Sequence, residues 1–69
     1  MRRTLKVGQF VSLSGGIEEI PGKKVLEMFH FDPKLCKIEV DDRGNLHITQ
    51  KGAAHSFTAA PTFWREVTG

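Results

Sequence analysis

The sequence predicts a single all-β domain spanning residues 1–69, a small, partly open barrel of about five strands. Three observations point there. Cys36, Ile38 and Val40 alternate with Lys37, Glu39 and Asp41, and Leu46 and Ile48 alternate with His47 and Thr49. A period of two marks strands with one dry face. Between these runs, Asp42-Arg43-Gly44 fits a three-residue hairpin loop, a type I turn whose last position takes the positive φ that glycine adopts freely. Residues 4–13 alternate as well, and glycine or proline punctuates most of the remaining chain.

Taken in order, Leu5, Val7, Val11 and Leu13 share one parity, with Gln9 the exception. Thr4, Lys6, Gly8 and Ser12 share the other, with Phe10 the exception. This reads as one strand bent at Gly8, since interior glycines often mark corners. Ser14-Gly15-Gly16 ends it, and 17–22 reads as a loop closed by Pro21-Gly22. Residues 23–31 fit two periods. Val25, Leu26, Met28 and Phe29 have helical spacing; Val25, Glu27, Phe29 and Phe31 have strand spacing. Length and the missing N-cap residue favour a strand. The alternative is a short helix near 23–29 packed on a sheet, which makes the fold α+β. Asp32-Pro33-Lys34 turns the chain into the hairpin, whose register sets Val40 against Leu46 and Ile38 against Ile48. Residues 52–60 read as an irregular connection, and 61–67 as a final strand or one helical turn begun by Pro61.

At pattern level, Lys6-Val7-Gly8-Gln9-Phe10-Val11-Ser12-Leu13 resembles the Val-Gly-x-x-Val-x-Leu opening common in SH3-like small barrels, KOW and Tudor modules among them. Gly22-Lys23-Lys24-Val25-Leu26 is similar to their second strand. The resemblance covers about half the chain and implies a fold. Gln9 stands where those barrels often carry an acidic residue, and no family's functional residues carry over.

Sixty-nine residues bury about 60% of the surface that the unfolded chain exposes. The size points to stabilisation by a partner or by self-association into a homo-oligomer. One cysteine makes no internal disulfide, which points to a reducing, cytoplasmic setting. Ten Lys and Arg oppose eight Asp and Glu, and the basic residues are spread along the chain rather than clustered. No apolar run reaches the ~20 residues that cross a bilayer, so no membrane partner is expected.

The candidates for chemistry are few. Cys36, His30, His47 and His55 lack the paired spacing of a zinc site. The pleat also turns Cys36 toward the core face and His47 toward the other, where neither can share a ligand with the other. The same register makes Glu39 and His47 cross-strand neighbours and an expected surface pair. Glu18-Glu19 reads as solvated loop acids. No enzyme, metal or cofactor is therefore expected. The reading is a small non-catalytic binding or adaptor module that docks onto a larger protein or assembly, with Phe10, Phe63 and Trp64 as protein-interface anchors. The competing reading is a nucleic-acid-binding regulator, with Arg2, Arg3, Lys6, Lys23 and Lys24 on phosphates and Trp64 stacked on bases.

Overall fold

The computed structural model describes residues 1–15 and 17–67. The strands are β1 (Arg3–Thr4), β2 (Phe10–Ser14), β3 (Glu18–Pro21), β4 (Cys36–Val40), β5 (Leu46–Gln50), β6 (Phe57–Ala59) and β7 (Trp64–Glu66), with one helix, α1 (Gly22–Met28), after β3. They form two antiparallel sheets, ordered β1-β4-β5-β6 and β3-β2-β7. The domain is mostly β. The described residues give seven strands where about five were expected, and the two sheets do not close into one barrel.

The central hairpin has the register that its alternation dictates. Val40 faces Leu46, Ile38 faces Ile48 and Glu39 faces His47. Gly44 takes φ 85°, and its N–H donates to the Asp41 carbonyl at 3.1 Å, closing the turn. Ile38, Val40, Leu46 and Ile48 are all buried.

The single strand expected over residues 4–13 is two strands joined by a 3-10 turn at Val7–Gln9. The parity exceptions Gln9 and Phe10 sit where the chain changes course. The Gln9 side-chain oxygen accepts the Lys6 N–H at 2.8 Å, and Phe10 emerges from the turn almost completely buried. Gly16, in the expected Ser14-Gly15-Gly16 turn, lies outside the described residues.

The strand expected over 23–31 is corrected to a helix. Val25 and Leu26 are adjacent and both buried, which a helix packed on the core permits and a one-faced strand does not. Lys23, Lys24, Glu27 and Met28 face out. The helix starts at Gly22, where a Cβ would overlap the Val7 carbonyl oxygen and lie 2.7 Å from the Phe10 ring. It stops in a Schellman motif. The Phe31 N–H donates to the Leu26 carbonyl at 2.8 Å and the His30 N–H to the Glu27 carbonyl at 3.2 Å. His30 holds the left-handed position at φ 60°, and Phe31 turns into the core.

Two short edge strands lie in segments expected to be loops. β3, within 17–22, pairs with β2, and β6, within 52–60, pairs with β5. Residues 61–67 realise both expectations, a 3-10 turn at Pro61–Phe63 followed by β7 against β2. The edges of the two sheets meet where the Arg3 guanidinium binds the Glu66 carboxylate at 2.6 Å. No helix among the described residues is long and apolar enough to cross a membrane.

Candidate docking surface

Burial divides the three expected interface anchors. Phe10 and Trp64 are core residues, 1% and 8% exposed, which corrects their assignment to a surface. Phe10 fills the space under Gly22, and Trp64 Nε1–H donates to the Gly44 carbonyl at 2.8 Å, fastening β7 to the hairpin loop. A small core recruits its largest rings, and an indole in it takes a hydrogen-bond partner. Only Phe63 is exposed, in the 3-10 turn beside that loop.

The basic set is divided too. Arg2 lies 3.5 Å from Glu39, and Arg3 is engaged by Glu66. Lys6, Lys23 and Lys24 have no carboxylate within ion-pair distance among the described residues. Lys6 and Lys23 each adjoin in sequence one member of the close contact between Val7 and Gly22.

On the outer face of the hairpin, His47 pairs with Asp41 rather than with Glu39. The backbone register is as expected, but Glu39 is occupied by Arg2 and Lys37. Asp41, in contrast, is already fixed. Its Oδ1 accepts the N–H groups of Arg43 and Asn45, both at 2.9 Å, which aims Oδ2 at His47 Nε2, 2.8 Å away. The His47 hydrogen bond, followed by the Asn45 N–H, holds the Asp41 carboxyl well below the usual carboxylate range. Cys36 lies on the opposite, core-facing side, and burial pushes its thiol up. A ring and a thiol on opposite faces of one sheet share no chemistry.

The sequence reading missed the surface at the end of α1. Met28 and Phe29 are 54% and 41% exposed. The Phe29 ring is not loose, since it packs on Phe57 with centroids 5.0 Å apart. His55 braces the same corner. Its Nε2–H donates to the Phe29 carbonyl at 2.8 Å, and its ring lies 4.8 Å from that of Phe31. The Asp32 N–H donates to the Gln50 side chain at 2.7 Å, which holds this corner to the open end of the hairpin. The helical spacing of Val25, Leu26, Met28 and Phe29 was the available signal. Read as a helix, it places Val25 and Leu26 inside and leaves Met28 outside.

Comparison with protein-family models, with curated proteins and with solved structures finds no match to this chain.

Proposed function

We propose that this chain is a small non-catalytic binding module that docks onto a larger protein, and that it docks through the end of α1. One observation carries the reading: Met28 and Phe29 stay exposed side by side, with Phe29 held in place by Phe57. Scattered apolar residues on a surface need no explanation, whereas two consecutive large ones, the second braced from behind, have the form that interface anchors take. Phe63, at the far end of the hairpin, remains a second anchor in this reading. We also read the two sheets as a variant of the SH3-like partly open barrel. That is supported by β2, which overlaps the Lys6–Leu13 resemblance over Phe10 to Leu13, pairing with both β3 and β7. A lone, half-buried Cys36 suits the reducing cytoplasm that the reading assumes.

The test is affinity capture from the native host with mass-spectrometric readout, comparing the natural chain with Met28→Ser/Phe29→Ser and with Phe63→Ser. A specific protein that the double variant loses and the Phe63 variant keeps is the expected result. Equal capture by all three chains contradicts the reading.

The nucleic-acid reading keeps one support, that Lys6, Lys23 and Lys24 have no carboxylate partner among the described residues. If phosphates bind there, affinity falls steeply with salt, and Lys23→Gln/Lys24→Gln flattens that slope. Retention of any nucleic-acid affinity at an unchanged slope in that variant removes it.

A further inference from the structure

We infer that the end of α1 is a recognition site for an acidic segment carrying large apolar side chains; this rests on the docking reading above and names the chemistry of the partner. Three features converge there. The first is the apolar seat, formed by Met28 and Phe29, with Phe57 packed against the Phe29 ring. The second is His30. Gly15, Gly44 and Gly52 supply the other left-handed positions among the described residues, and His30 alone occupies one with a side chain. A non-glycine residue there carries a conformational penalty, and such outliers concentrate at functional sites. The side chain it retains is exposed and follows directly on Phe29. Met28-Phe29-His30 is thus an unbroken run of exposed large residues where a helix would most easily end on glycine.

The third feature is charge. Lys24 lies one helical turn before Met28 on the same outer face. Lys34 and Lys51 flank the join between Asp32 and Gln50 at the same corner. None of these three lysines has a carboxylate partner among the described residues, although Arg2, Arg3, Lys37 and Arg65 all do. The nearby acids are Glu27, exposed on the helix, and Asp32, whose Oδ1 accepts the Lys34 N–H at 2.9 Å. The segments that form the apolar seat and its corner therefore carry three exposed lysines with no carboxylate partner among the described residues. Such a surface is complementary to carboxylates spaced around a Leu or Phe. A basic partner meets like charge there.

Three synthetic twelve-residue peptides test this by NMR titration of the labelled full chain at low salt. One mixes Asp and Glu with Leu and Phe. Its twin replaces the acids with Lys, and a third replaces the Leu and Phe with Ser. The acidic, apolar peptide should bind saturably and shift the amides of Lys24, Met28, Phe29, His30 and Phe57. Met28→Ser/Phe29→Ser should weaken it about tenfold. Lys24→Glu, at an exposed site where folding is not at stake, should weaken it by a similar factor. Equal binding of the lysine twin or of the serine peptide overturns the inference, as does a shift pattern centred on Phe63. A dimer in sedimentation velocity that Phe29→Ser abolishes assigns the corner to a second copy and also overturns it. If the acidic peptide does not bind while the native chain still captures a protein through Met28 and Phe29, docking stands and the acidic specificity falls. Failure of both removes both.

Discussion

Single residues in this fold do more than their exposure suggests. Asp41 is partly exposed, yet it closes the hairpin loop through two backbone amides and aligns His47. Its carboxyl is held below the ordinary value in the folded chain. A depressed folded value adds stability above the unfolded pKa of about 3.9 and loses it as pH falls below that point. Asp41→Asn cannot titrate. Denaturant unfolding at pH 7 and at pH 2.5 should therefore show the gap between natural chain and variant narrowing at low pH, and a constant gap contradicts the pairing. His30 gives the opposite kind of prediction. Relieving its left-handed backbone with His30→Gly should raise stability by about 0.5–1 kcal/mol, read as a higher Tm. If the residue is kept for recognition, the same variant should bind the acidic peptide less well.

Elements are decided by what they pack against. The segment 23–31 carries apolar residues compatible with both periods, so its own sequence leaves the choice open. The surroundings settle it: Gly22 fits under the Val7 carbonyl and Phe10, and Val25 and Leu26 reach the core together. Gly22→Ala should therefore destabilise the domain by ~1–3 kcal/mol through overpacking, despite alanine's better helix propensity. A neutral or stabilising result in urea unfolding shows that the contact yields. The hairpin was legible because its alternation, its loop glycine and its register all agree. The helix was not, because its stop signal is a histidine where glycine is usual, and its start has no side-chain cap. β3 and β6 escaped notice because strands of four and three residues are too short to show a period. The apolar corner at the end of α1 was hidden for the same reason as the helix. Exposure of Met28 and Phe29 follows only once α1 is known.

At the scale of the molecule, one small core is shared by two sheets and a helix. Its largest fully buried side chains come from distant parts of the chain, Phe10 from β2, Leu26 from α1, Leu46 and Ile48 from β5. A core of this size supplies only ~3–5 kcal/mol of net stability. Truncation of a buried tryptophan removes ~3–5 kcal/mol. Trp64→Ala should therefore leave the chain largely unfolded, seen as loss of dispersed amide signals. A folded variant with only its associations impaired returns Trp64 to the interface. The ionic contact between Arg3 and Glu66 joins the sheet edges but is exposed, so screening by salt should change stability little.

The indole of Trp64 has a practical consequence. It is the sole tryptophan in the chain, shielded from solvent and bonded to the peptide carbonyl of Gly44. Its emission is a built-in gauge of whether the last strand is latched to the hairpin loop. The α1 corner sits at the other end of that hairpin, roughly five residues or ~17 Å along the strands. Fluorescence should thus respond to unlatching and stay quiet when a ligand settles on the far corner, so one intensity trace can separate melting from recognition.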